Sequence, residues 1–189
     1  MSATTLLSIC GVVVFVAYEV VLRDRKDADT ATWKGDDADR ASTRLILGAY
    51  AAVVAINVVL ADDATVPIAP AWRWAGVVLL AAGLALRAWA MTTLGRDYTR
   101  TLRTEDDQQL VDRGPYRLVR HPGYTGSLLV WVGYALGLGS WVGVAITAVL
   151  LVSVYMWRIT AEEALLSRAL GERYTEYQRR TKRLVPYVY

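Results

Sequence analysis

The 189-residue sequence contains one cysteine, one histidine, one phenylalanine and three lysines, set against eighteen arginines. A lone cysteine, Cys10 inside the first apolar run, excludes an intrachain disulfide and any cysteine-based zinc centre. The lone histidine, His121, likewise excludes His-rich metal centres, so no metal is expected. Also missing is the composition of a soluble domain. The chain is 54% hydrophobic and 21% charged, with a mean hydropathy of +0.28. Its charges are expelled into a few blocks between long apolar runs, where a soluble domain would spread them over its surface. The formal net charge is +3. The Arg-rich segments flank apolar runs and form no single stripe, so they read as topology signals, and no nucleic-acid partner is expected.

A hydrocarbon core about 30 Å thick needs roughly 20 helical residues. Five spans are predicted: Thr4 to Leu22, Leu45 to Leu60, Trp74 to Met91, and two within the apolar stretch from Gly123 to Trp157. That stretch is too long for one helix and is broken near Gly137, Gly139 and Ser140, which predicts a tight helical hairpin. The first span has no basic leading region and no clear small-residue cleavage site, so a retained helix is expected. Arg23 to Arg44 carries six basic residues, Arg96 to Arg120 six and Arg158 to Arg183 seven, while Arg73 alone falls on the other side. Basic loops face the cytoplasm. Five spans with the amino terminus outside and the carboxyl terminus in the cytoplasm satisfy all three blocks at once.

The fold expected is therefore all-α: a polytopic membrane protein of five transmembrane helices, the last two forming the hairpin, with a cytoplasmic C-terminal helix. That helix continues the fifth span over Ala161 to Arg179, which holds good helix formers with acidic residues ahead of basic ones. Residues 23–44, mixing six basic residues with six aspartates, read as a solvated linker. Asp62 to Pro70 reads as a short outer loop, with Pro67 and Pro70 opposing helix. Two regions result, 1–73 holding two spans and the linker, and 74–189 holding the chemistry.

The unusual polar residues gather at the cytoplasmic side of the second region. Residues 110–126 read LVDRGPYRLVRHPGYTG, with breaks at Gly114-Pro115 and His121-Pro122. An irregular loop at membrane depth is tolerated only against protein or a wet cavity. A plain turn anchoring Tyr116 and Tyr124 at the interface fits the same shape. Arg158 and Glu162 are four residues apart and share a helix face, which by itself requires no more than an ion pair. With Glu163 they reach the same interface as the His121 loop, where a polar cavity needs charged walls. Arg87 lies inside the third span and Glu19 near the inner end of the first. A mid-span arginine costs about 2.5 to 3.5 kcal/mol, so Arg87 needs a partner, a cavity or a functional anion. Snorkelling accounts for Glu19 better than for Arg87.

These segments resemble the isoprenylcysteine carboxyl methyltransferase family. The likeness rests on LRAWAMTTLG, then LVDRGPYRLVRHPGYTG, an apolar hairpin, and RITAEEALLSRALGERYTEYQRRTKRLVP, covering roughly Leu84 to Pro186. It implies S-adenosyl-L-methionine as methyl donor, with contacts from Gln108, Gln109, Leu110, Val111, Tyr116, His121, Pro122, Gly123, Tyr124 and Glu162. Arg158 would face the methyl acceptor, with Arg87 a second candidate there. Arg103 stands where eukaryotic relatives place a Gln, a departure that touches one cofactor contact. No glycine-rich strand-to-helix turn of the soluble methyltransferase type is present, and Gly133, Gly137, Gly139 and Gly143 suit close helix packing.

The resemblance implies carboxyl O-methylation of an isoprenylcysteine-like or other lipophilic acceptor entering from the bilayer, among membrane lipids. A carboxylate acceptor is already ionised at neutral pH and needs only to be held. A thiol or amine would need a base, with His121 the first suspect. Phospholipid N-methylation and thiol S-methylation are therefore the nearest alternatives. Two other classes remain: a non-enzymatic membrane subunit, to which the basic run Arg179 to Arg183 lends weight, and a nicotinamide-dependent membrane reductase. The excess of arginine over lysine, with abundant Ala, Val and Asp, suggests a GC-rich prokaryotic genome and hence a prokaryotic cell membrane.

Overall fold

A computed structural model describes residues 1–29, 37–61, 66–95 and 110–186. Its helices are α1 (Ala3–Asp29), α2 (Asp37–Leu60), α3 (Pro70–Leu94), α4 (Pro122–Leu138), α5 (Trp141–Leu170) and α6 (Glu172–Arg180). The described part is all-helical apart from turns and two isolated bridges. Four helices, α1, α2, α3 and α5, are long and apolar enough to cross a membrane. The protein is membrane-integral.

Helix α4, 17 residues long, is enclosed by the others. It is apolar nearly all round, and such a helix belongs in an interior. Eleven of its residues are buried, and it packs against α1, α2, α3 and α5. Its contact with α3 is the closest in the bundle because glycines face one another there. A Cβ at Gly83 would lie 2.7 Å from the Gly126 carbonyl oxygen and the Val130 nitrogen. One at Gly133 would lie 2.6 Å from the Gly76 carbonyl oxygen and the Leu80 nitrogen. Small residues at these positions let two backbones meet, which supplies the packing that lipid cannot.

Two arginines on α3, four turns apart, tie α1 to α4 at opposite ends. At one end Arg73 Nη2 donates to Ser2 Oγ (2.9 Å), Thr5 Oγ1 (2.8 Å) and the Gly137 carbonyl (3.1 Å). A cation on the last carbonyls of α4 also suits the helix dipole. At the other end Arg87 donates to Glu19 on α1 and, through Nη1, to the Gly123 carbonyl (2.9 Å) and Ser127 Oγ (2.7 Å) on α4. Its guanidinium also lies 5.3 Å from the centre of the Phe15 ring. The partner that a mid-span arginine requires is thus Glu19.

Exposed tryptophans gather at two levels. Trp72, Trp74 and Trp141 lie at one end, with Trp72 and Trp141 edge to face at 6.1 Å, and Trp89 and Trp157 at the other. Trp72 to Trp89 spans about 25 Å of helix and Trp141 to Trp157 about 24 Å at 1.5 Å per residue. Amphipathic rings at such spacing suit the two faces of a bilayer.

The helices differ from expectation in three places. Residues 23–44 are not all linker: α1 runs on to Asp29 and α2 begins at Asp37, because an established helix extends at low cost through Arg, Lys and Asp. Residues 30–36 lie outside the described residues. Pro70 opens α3 as its first residue, where its missing N–H costs nothing. The helix expected over Ala161 to Arg179 is broken at Gly171, whose φ of +55 suits a residue without a side chain, so α5 ends and α6 starts in a new direction.

Gly83→Val should lower the thermal unfolding temperature of the detergent-solubilised protein, with overpacking costing about 1–3 kcal/mol or more. Gly48→Ala, with nothing within 4 Å of the added carbon, should leave it unchanged or raise it. Equal effects of the two substitutions would refute the close α3–α4 contact.

Candidate active site

The site is built where α4 begins. The chain approaches through a short 3-10 turn, Gly114–Arg117, and continues without helix over Val119 to His121. The C-terminal segment runs beside it. Arg120 N donates to the Lys182 carbonyl (2.7 Å) and His121 N to the Arg183 carbonyl (3.0 Å), with Val119 and Lys182 forming a parallel bridge. Thr125 Oγ1 adds a bond to the Leu184 carbonyl at 2.8 Å. The otherwise unpaired backbone of the loop is thereby satisfied, as burial demands.

One carboxylate holds this arrangement. Glu163 on α5 is buried and receives Arg120 Nε (2.7 Å) and His121 Nε2 (3.3 Å) on Oε1, and Arg183 Nε (3.0 Å) on Oε2. Arg120 also donates through Nη1 to the carbonyls of Gln178 (3.1 Å) and Thr181 (2.5 Å), covering the end of α6. Tyr177 on α6 donates to the Tyr116 carbonyl at 2.7 Å, closing the same junction. Burial pushes the Tyr177 hydroxyl above its ordinary pKa, so it stays a donor at neutral pH.

Glu162, the preceding residue, points elsewhere. It is about one third exposed; its Oε2 accepts from Tyr124 Oη at 3.0 Å, and its Oε1 lies 4.0 Å from His121 Nδ1. The His121 ring, held at Nε2 by Glu163, tilts against Tyr124 at 5.8 Å. Behind them Arg158 is buried and acts on the Tyr124 hydroxyl. Tyr124 in turn meets Tyr155 (5.2 Å between rings), whose hydroxyl bonds that of Tyr50 on α2 at 2.7 Å.

His121, Tyr124, Glu162 and Arg158, far apart in sequence, are therefore neighbours. Pro122 is buried as the first residue of α4, and Gly123 offers its carbonyl to Arg87. Arg87 is placed in the α1–α3–α4 tie rather than beside Glu162, although its charge acts on Tyr155, one ring away from Tyr124. Tyr116 is half-buried and tied to α6, and Leu110 and Val111 are half-buried ahead of the 3-10 turn. Gln108, Gln109 and Arg103 lie outside the described residues. Sequence reasoning did not assign Arg120 and Arg183 to the site, nor Glu163 as its hub. The adjacent pair Glu162-Glu163 was a usable signal, because neighbours on a helix face about 100° apart and serve different sides.

The profile of the phospholipid methyltransferase family matches residues 71–173, more than half of the chain. The chain belongs to that family. The similar relatives carry the name of a protein methyltransferase. The chain is 32% identical over 117 residues to a probable protein-S-isoprenylcysteine O-methyltransferase of Oryza sativa subsp. indica, covering 61% of each protein. It is 34% identical over 115 residues to protein-S-isoprenylcysteine O-methyltransferase B of Arabidopsis thaliana, covering 60% of this chain and 58% of the relative. The chain thus spans about 60% of the length of these relatives. A solved structure of the eukaryotic intramembrane Ras methyltransferase ICMT shares the fold, with a TM-score of 0.63 at 22% identity over 76% of this chain and 52% of that one.

Glu163→Ala should be strongly destabilising, since removing one partner of a buried pair costs about 3–5 kcal/mol. Glu162→Ala, losing only one bond from a partly exposed side chain, should unfold close to the parent temperature. Thermal unfolding of both variants without ligand checks the contrast; similar losses would refute the hub.

Proposed function

We propose that this chain is an integral membrane S-adenosyl-L-methionine-dependent methyltransferase, and that its acceptor is the carboxylate of an isoprenylcysteine-like or other lipophilic molecule arriving from the bilayer. The observation that carries the reading is the convergence of His121, Tyr124 and Glu162 in front of buried Arg158, on a chain of this family. The relatives' names supply the acceptor class.

The residues present fit the donor molecule. Its amino-acid end carries an ammonium and a carboxylate, and Glu162 keeps one carboxylate oxygen outside hydrogen-bonding distance of His121. Tyr124 and Tyr116 supply aromatic faces suited to the adenine or the sulfonium. When bound, the donor supplies an electrophilic methyl group that passes to an acceptor oxygen in line with the departing sulfur. What the chain contributes is alignment, which is worth on the order of 7 to 11 kcal/mol of barrier in such displacements. Glu162 and His121 hold the donor, and Arg158 holds the acceptor carboxylate by paired hydrogen bonds. No proton has to be removed from an ionised carboxylate. Gln108, Gln109, Leu110, Val111, Pro122 and Gly123 are assigned to the same cofactor surface, and Arg87 to the acceptor side through the Tyr155 column.

The reading includes the topology. Helix α4 is the fifth crossing and forms a hairpin with α5, the amino terminus lies outside, and the site opens to the cytoplasm. The three basic blocks on one side support this, as do the two tryptophan levels, since Arg158 directly follows Trp157. Residues 74–189 carry the catalytic region and α1 and α2 its scaffold.

The family description favours a second acceptor, a phospholipid amine, whose phosphate Arg158 would also suit. Membranes incubated with labelled methyl donor separate the two. A methyl ester releases labelled methanol in base, while an N-methyl product does not; stable label in a lipid headgroup would replace the first reading. S-adenosylmethionine should raise the thermal stability of the purified protein and a nicotinamide cofactor should not. Arg158→Ala should lower turnover more than donor affinity, and Glu162→Ala should weaken donor binding. Unchanged affinity by calorimetry in the Glu162 variant would remove the site assignment.

A further inference from the structure

Helix α6 carries two buried tyrosines whose hydroxyls are treated differently. Tyr177 is bonded to the Tyr116 carbonyl. Tyr174, 1% exposed, has a buried hydroxyl with no hydrogen-bond partner among the described residues. A buried polar group left this way is costly and calls for an explanation. Its surroundings give one. Burial, and after it the charges of Glu163 and Glu162, push the Tyr174 hydroxyl above its ordinary pKa, so it is protonated at neutral pH. Of those two carboxylates Glu163 is engaged by Arg120, His121 and Arg183, whereas Glu162 Oε1 and His121 Nδ1 stand 4.0 Å apart, too far for a hydrogen bond. Among the described residues the Tyr174 hydroxyl on α6 is therefore a buried polar group left without a partner, within the electrostatic reach of Glu162 on α5, whose Oε1 is not bonded to His121.

We propose that Tyr174 is a ligand-contact residue, its hydroxyl and the Glu162 carboxylate together binding the primary ammonium of S-adenosylmethionine. The inference rests on the methyltransferase reading and deepens it. An ammonium has three donors and no acceptor, so it needs several oxygens at once. A phenol oxygen can accept from it while the phenol proton turns to a carboxylate oxygen, and Glu162 supplies the charge that makes the contact strong. Helix α6 then becomes a wall of the donor site in addition to a support for the loop, and the strap of residues 182–184 that follows it holds that wall to the start of α4.

The test uses the full chain in detergent with S-adenosylhomocysteine, which keeps the amino-acid end, and with its analogue lacking the amino group. Tyr174→Phe removes an oxygen that bonds nothing, so the unliganded unfolding temperature should stay the same or rise. Tyr177→Phe, which breaks the bond to Tyr116, should lower it. Calorimetry should show S-adenosylhomocysteine binding Tyr174→Phe roughly tenfold more weakly than the parent. The analogue without the amino group should bind both proteins equally. Equal binding of S-adenosylhomocysteine to the two proteins would overturn the proposal and leave the methyltransferase reading standing, as would an equal loss with both ligands. A lowered unliganded unfolding temperature for Tyr174→Phe would show that the hydroxyl already has a partner, and would also overturn it. Failure of the parent protein to bind S-adenosylhomocysteine at all would remove the methyltransferase reading itself.

Discussion

The junction at the start of α4 depends on the buried carboxylate of Glu163 meeting two guanidiniums and an imidazole. These donors come from a loop at residues 120–121 and a segment at residue 183, and the acceptor from the far end of a 30-residue helix. Water would satisfy each of these groups separately. In a site shielded from water the cheapest arrangement brings them together, because an unpaired buried charge costs several kcal/mol. The bond from His121 Nε2 to Glu163 also sets the ring's other nitrogen toward Glu162, so one interaction both folds the junction and orients the ring.

That junction would be of little use if α4 were free to slide. Its register is set from α3, through glycines that let the two backbones touch and through Arg73 and Arg87, which grip its two ends. The same arginines take hold of α1. A guanidinium within a bilayer is costly, and here the cost is offset by an ion pair, a carbonyl and a hydroxyl, all desolvated together. Helix α4 can be apolar on every side because its neighbours, rather than lipid, surround it.

Depth in the bilayer follows from the tryptophans and bears on the chemistry. Arg158 directly follows Trp157, and Arg87 is two residues from Trp89, so the charged groups stand near the level where rings at one membrane face would lie. For the methyltransferase proposed above, a lipophilic acceptor would keep its chain in the hydrocarbon and present its polar end at that level, while the donor, a charged nucleoside, would arrive from water. A site at the boundary would serve both without asking either to leave its preferred solvent.

Much of this was legible in the one-dimensional chain. Apolar runs of near-membrane length, the breaks at Gly139 and Pro122, and the segregation of basic residues follow from composition and spacing, since a helix in lipid must satisfy its own backbone and keep charge at its ends. The pairing of the 110–126 loop with Arg158 and Glu162 was also legible, because each is an island of polarity at the same end of an apolar span. Other features were not. The turn at Gly171 was only half signalled, because a lone glycine among good helix formers can either be carried within a helix or end it. The division of labour between Glu162 and Glu163 depends on which face of α5 meets α4, and the engagement of Arg87 with Glu19 depends on how α1 packs across α3. Those are contacts between residues dozens of positions apart, and their energies arise only after burial removes the water that would otherwise have answered each group alone.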